Sequence, residues 1–161
     1  MGLLENVGVG LNHCKRKQEE WLHSIGLRAE HLTCTQEEDQ EGNFLYFKWD
    51  VKNADVNLWG YEGACLLDGY EDIVRKKFKF GEITGGSFIC AGSQIRSFDG
   101  FPDKVGRIFD MSFCPYLTKS QIKTLDGVPS LVDINFVCLG QGFTEDEIRE
   151  KCKVTCNVYC Q

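Results

Sequence analysis

Gly85-Gly86-Ser87-Phe88-Ile89-Cys90 leads into Ile95-Arg96-Ser97-Phe98-Asp99-Gly100-Phe101-Pro102, and 27 residues after Ile95 comes Ile122-Lys123-Thr124-Leu125-Asp126-Gly127-Val128-Pro129. Each apolar-x-x-apolar-Asp-Gly-apolar-Pro block is followed at the same offset by a strand-like run, Val105 to Met111 after Pro102 and Val132 to Cys138 after Pro129. A partial earlier copy, Leu66-Leu67-Asp68-Gly69-Tyr70, has the Asp-Gly turn with Glu71 where the others have proline. Repeats with a period of about 20 to 29 residues point to stacked units, each too small to bury its apolar face alone.

Anchoring the register on the prolines makes Phe88, Phe109 and Phe136 equivalent, and likewise Cys90, Met111 and Cys138, with spacings of 21 and 27. The longer spacing marks an insertion around Pro115 to Gln121. A rival register, with Cys90, Cys114 and Cys138 each 24 apart, sets Ser112 opposite Phe88 and Phe136, so the proline register is preferred. Within a unit, Phe-x-Cys points one way from a strand because side chains alternate across it. Asp-Gly makes the turn, since Gly tolerates positive φ and Asp bonds nearby backbone. Proline then fixes the next φ and resists helix.

At these residues, roughly 63 to 142, the chain resembles the cysteine-containing leucine-rich-repeat-like units common in tailed-phage genomes. In those units a Gly-Gly-x-Phe-x-Cys strand alternates with an apolar-x-x-Leu-x-Gly-x-Pro turn. Met111 in place of Cys, the insertion, and the first copy without proline depart from that pattern. The expected fold is α+β: an N-terminal helix and β-hairpin (residues 1–62) joined to a short leucine-rich-repeat-like solenoid with a C-terminal capping helix (63–161), together one compact domain. The resemblance also implies a small acidic, non-enzymatic protein that binds and inhibits a host protein in the host cytoplasm. In size and repeat style the chain is similar to phage inhibitors of the ATP-dependent Lon protease, an AAA+ enzyme. Inhibition of another host or defence protein, for example a nuclease, and a structural or assembly role with a possible homo-oligomer are the alternatives.

The rest of the chain fits a protein without chemistry of its own. Its 161 residues are 42% hydrophobic, enough for one core. A net charge of −6 argues against a general binder of nucleic acid or of anionic membrane, and the local basic run Arg75-Lys76-Lys77-Phe78-Lys79 suits a solvated helix face. No apolar run approaches the ~20 residues of a membrane span. The start Met1-Gly2-Leu3-Leu4-Glu5 lacks the basic segment of a signal peptide, and Asn6 disfavours acylation of Gly2. Nine cysteines, an odd number with several at core-facing repeat positions, suit reduced, packed thiols.

Asn12 is a candidate helix cap, with Cys14, Trp21, Leu22 and Ile25 on one side before Gly26. The acidic run Glu37 to Gly42 suits a loop tip. Asn43 to Val51 is the strongest strand outside the repeats, with Leu45, Phe47, Trp49 and Val51 on one face, and it is expected to turn back into Val56 to Trp59. Thr144-Glu145-Asp146-Glu147 is a capping box with Phe143 and Ile148 as its staple, and it begins the expected final helix, along which Cys152, Cys156 and Cys160 would align.

Catalytic and metal signals are weak. No Cys-x2-Cys pair exists for zinc, so Cys152, Cys156 and Cys160 are expected to carry no metal. His13, His23 and His31 all lie in the N-terminal segment, away from any recognisable nucleophile, and no cofactor motif is present. Candidate partner-binding residues are Phe44 and Tyr46 on the more polar strand face, and Ile89, Asp110 and Val137, which lie side by side on neighbouring strands in the proline register.

Overall fold

The computed structural model describes residues 3–161, with side chains described from residue 10 onward; Gly2, weighed above as an acylation site, lies outside the described residues. In it each strand-like run of the repeats is broken in two. Lys104–Val105 (β6) and Ile108–Asp110 (β7) are separated by a corner at Gly106-Arg107, and Leu131–Val132 (β8) and Asn135–Val137 (β9) by one at Asp133-Ile134. The two halves of each run pair in different sheets. Phe78–Thr84 (β4) and Phe88–Ile89 (β5) precede them with the same division, and Phe44–Lys52 (β2) and Val56–Asn57 (β3) come before those. Lys153–Val154 (β10) and Val158–Tyr159 (β11) complete the set, and Leu32–Glu38 (β1) adds one further strand.

One sheet has six strands in the order β1-β2-β4-β6-β8-β10 and is parallel except for the antiparallel pair β1 and β2. The other has five parallel strands in the order β11-β9-β7-β5-β3. With three α-helices, Leu3–Ser24 (α1), Asp72–Lys76 (α2) and Glu145–Lys151 (α3), the fold is α/β. It is not the expected helix and hairpin joined to a leucine-rich-repeat solenoid. The physical reason is the corner: each turn of chain supplies two strands, one to each sheet, where a leucine-rich-repeat unit supplies one.

Two further expectations are corrected. β2 forms its hairpin with β1, while β3 crosses to the other sheet. The final helix is short. Its capping box is present, with Thr144 Oγ1 accepting from Glu147 N at 3.2 Å and Glu147 Oε1 accepting from Thr144 N at 3.0 Å, but α3 ends at Lys151 and the chain continues into β10 and β11. Cys152 caps the helix, so the cysteines at four-residue intervals share no helical face.

The proline register matches the strand pairing. Val56, Phe88, Phe109, Phe136 and Val158 are partners across five strands and face inward. Opposite them stand Val51, Ile83, Val105, Val132 and Val154 of the other sheet, which are all buried. The rings of Phe88 and Phe109 stack at 5.8 Å and 16°, and Phe136 follows at 4.9 Å from Phe109. Such aromatic pairs add about 0.5–1.5 kcal/mol each beyond their burial. The Asp-Gly turns carry the positive φ expected of them, 80° at Gly100 and 101° at Gly127.

Helix α1 lies against the first turns of this stack. Cys14, Gln18, Trp21 and Leu22 form its buried stripe. Trp21 packs edge-on against Phe78 at 5.6 Å, and Gln18 bonds to Trp49, Val74 and Lys77. The helix runs from Leu3, so Asn12 lies in its interior and is not its cap.

Candidate functional site

On the outer face of the five-stranded sheet, Asn57, Ile89, Asp110, Val137 and Tyr159 occupy one row of paired positions on β3, β5, β7, β9 and β11. Alternation dictates this face: their neighbours Phe88, Phe109 and Phe136 point into the core, so these point out. Three of the five sequence-derived candidates, Ile89, Asp110 and Val137, therefore stand together on adjacent strands. Phe44 and Tyr46 do not join them. Both belong to β2 in the other sheet, where Phe44 is half-buried with its ring 4.9 Å from Phe47 and Lys77 Nζ 5.8 Å from its centroid. Tyr46 lines a shallow cleft with Cys65, Arg75, Phe78 and Lys79.

Residues that the repeat pattern did not single out continue the stack beyond this row, with Ala91 and Ser112 buried and Trp59 exposed. Just past each strand the chain places Trp59, Ala91, Ser112 and Leu139 in a second row, linked by Gly60 N to Ala91 O at 2.9 Å, Gly92 N to Ser112 O at 2.8 Å and Phe113 N to Leu139 O at 2.9 Å. Trp59 is 74% exposed, and Tyr159, at the end of the first row, is 47% exposed. The next position is glycine with positive φ in three turns, Gly60, Gly92 and Gly140, but Phe113 in the fourth, at φ 56° and 64% exposed. A bulky residue in the left-handed region costs on the order of 1 kcal/mol. Its ring lies against Gly140, where an added Cβ would come within 3.0 Å of it. The signal for Phe113 was in the sequence all along, as a break in a Gly-Gly-Phe-Gly column at 60, 92, 113 and 140.

Asp110 is the one acid in this apolar setting. One carboxylate oxygen accepts from Ser112 N at 2.9 Å. Among the described residues no Lys, Arg or His pairs with it. The row thus holds polar Asn57 and apolar Ile89, Val137 and Tyr159 around one carboxylate that has no cationic partner among the described residues.

Beneath it lies a layer of sulfur. Cys90, Met111 and Cys138 are fully buried in the inner row next to the phenylalanines. Cys114 Sγ donates to Cys90 O at 3.0 Å, and Ser93 Oγ lies 3.4 Å from the same sulfur. It is the contact between the two thiols, not the bond to Cys90 O, that pulls Cys114 down to about 7, helped by Ser93, while the same contact and burial push Cys90 up. Burial raises Cys138 to about 12. Gln141 closes the layer, its Oε1 accepting from Cys114 N at 2.9 Å and its Nε2 donating to Cys114 O and Leu117 O. These thiols have no exposed surface through which a substrate would reach them.

Elsewhere the polar residues satisfy one another. His13 Nε2 lies 2.7 Å from Glu71, and His23 Nδ1 2.8 Å from Leu27 O. In the basic run, Arg75 bonds to Tyr70 O and Asp72, and Lys79 to Asp103 and Phe101 O. Among the described residues no group of three or more His, Cys, Asp or Glu is placed to hold a metal ion, and no helix is long and apolar enough to cross a membrane. Cys152 is buried, Cys156 exposed and Cys160 half-buried. In comparisons with protein-family models, with curated proteins and with solved structures, nothing matches the chain.

Proposed function

We propose that this protein is a non-enzymatic binding protein whose outer five-stranded face docks on another protein. The observation that carries this is the set of exposed aromatic residues spread along this face, Trp59 after β3 at one edge, Phe113 after β7 and Tyr159 on β11 at the other edge, on a sheet whose interior is already fully packed. Aromatic residues on a rigid, hydrogen-bonded scaffold supply contact area at little entropic cost, which is why they dominate binding hot spots. Asp110 specifies the partner's chemistry: a Lys or Arg set among apolar side chains, so that the unmatched carboxylate gains an ion pair when water is excluded.

The resemblance of the repeat sequence to phage units makes a host protein the expected partner, and an ATP-dependent protease of the Lon type the first target to test. Inhibition would then consist of binding alone. Affinity capture of the tagged protein from a bacterial lysate with ATP, run beside the variant Asp110→Lys/Trp59→Ala, tests the proposal. A protein retained in near-stoichiometric amount by the native chain and lost from the variant supports it. Retention that is equal for both sinks the face, and retention of nothing turns attention to an assembly role.

A further inference from the structure

Of the four sheet edges, three are short or sealed. β3 and β11 at the ends of the five-stranded sheet have two residues each. At β10 the Arg149 guanidinium, steadied by Glu145 at 2.7 Å, donates to Val154 O at 2.7 Å and Cys156 O at 3.0 Å, so the outward carbonyls are already taken. β1 is different. It has seven residues, and no proline, bulge-borne glycine or covering arginine protects its outer side among the described residues.

The pairing fixes which groups are open. Phe47 donates its N–H to Lys77 O on the far side of β2. Gln36 stands opposite Phe47 and Cys34 opposite Trp49, so these are the pairs that share no hydrogen bonds, and the N–H and C=O groups of Gln36 and Cys34 point away from β2. An exposed strand with such a row is a template for another strand.

We infer that β1 pairs antiparallel with β1 of a second copy of this chain about a twofold axis at Thr35, joining the two six-stranded sheets into one. The sequence Leu32-Thr33-Cys34-Thr35-Gln36-Glu37-Glu38 is complementary to itself in that register. Cys34 meets Gln36 of the second copy through paired backbone bonds, Thr33 meets Glu37, and Thr35 meets Thr35. No like charges stand opposite one another, which would oppose pairing. Beside Cys34 a cleft of about 340 Å³ is lined by Leu11, Asn12, Lys15, Gln36 and Phe47. Lys15 has no ion pair among the described residues; burial raises the Cys34 thiol to about 11, and Lys15 lies near enough to oppose that rise. On the same side of the ribbon the second copy brings Glu38, a carboxylate for this lysine. The inference is independent of the binding face, which belongs to the other sheet.

The test is sedimentation of the full chain over a micromolar concentration series. The native chain is expected to double in mass, and Gln36→Pro, which deletes an outward N–H without touching a bond to β2, is expected to weaken association roughly tenfold or more. A mass that stays that of one chain at every concentration overturns the inference, as does a dimer that Gln36→Pro leaves intact. Gln36→Cys gives a second readout that does not depend on how the proline variant folds. Under oxidised glutathione, two thiols lose their hydrogens to form one disulfide while the glutathione disulfide is reduced to two thiols. The bond is expected between Cys34 of one copy and the new cysteine of the other, since directly opposed strand residues lie about 5.5 Å apart at Cα, within disulfide range. Peptide mapping that places the intermolecular bond elsewhere overturns the register.

Discussion

Replacing Gln18 by leucine isolates what a single buried amide contributes. Gln18 has no exposed surface. Its Nε2 donates to Val74 O at 3.0 Å and to Lys77 O at 2.9 Å, and its Oε1 accepts from Trp49 Nε1 at 2.8 Å. The one side chain thus ties α1 to β2 and to the C-terminal part of α2 and its cap. Leucine fills nearly the same volume but strands three polar groups. At about 1–3 kcal/mol for each of three stranded groups, less about 1–2 kcal/mol gained from burying the apolar side chain, the net loss lies within about 1–8 kcal/mol and centres on about 4 kcal/mol. Native domains are stable by only about 5–15 kcal/mol, so this is a large fraction of the whole. With a urea slope of about 2 kcal/mol per molar, the unfolding midpoint falls by roughly 2 M at an unchanged slope. Gln18→Glu adds a pH readout. A carboxylate facing two carbonyls is held protonated, its folded pKa raised above the unfolded ~4.3, so the variant is least impaired at low pH and loses stability as pH rises. A loss below about 1 kcal/mol for Gln18→Leu, or a Gln18→Glu variant indifferent to pH, would refute the reasoning.

Other perturbations follow from the same geometry. Phe109→Ala, which removes a ring touching Phe88, Phe101 and Phe136, is expected to cost about 3–5 kcal/mol in denaturant unfolding. Phe113→Gly is expected to raise stability by up to about 1 kcal/mol, because glycine accepts the left-handed φ, while weakening binding to the partner. Alkaline pH should destabilise the protein: burial pushes Cys14 and Cys152 to about 11 and Cys138 to about 12, above the 9.0 of an unfolded thiol. Their contribution is complete below pH 9 and is lost above it, at about 1.4 kcal/mol per pH unit for each thiol. Thermal unfolding from pH 8 to 11 reads this slope, and alkylation at pH 8 should modify exposed Cys156 well before the buried thiols.

The repeat units and their register were legible because Phe, Cys and Asp-Gly recur at positions where alternation and turn chemistry leave little choice. The division of each run between two sheets was not, since a corner at Gly106-Arg107 or Asp133-Ile134 leaves the apolar pattern unbroken on either side. Helix α1 was visible through Trp21 and Leu22, but Gln18, in the middle of the same stripe, has a polar side chain that hydrophobic spacing does not mark as buried; its three partners come from distant segments. At the candidate face, Ile89, Asp110 and Val137 followed from the register. Trp59 and Tyr159 did not, because they come from the first and last turns, where the repeat motif has faded. Lys153 to Tyr159 was hidden by the helical spacing of three cysteines that belong to a fifth turn of strand.

The most direct test of the binding face is the degradation of an unfolded protein substrate by a purified Lon-type ATP-dependent protease, with the native chain or with Asp110→Lys/Trp59→Ala added in increasing amounts. The native chain is expected to slow turnover to a saturating limit, with the variant at least tenfold weaker although equally folded. Inhibition of equal strength by both proteins would contradict the assignment of the outer five-stranded face, and no inhibition by the native chain would contradict this protease as its target.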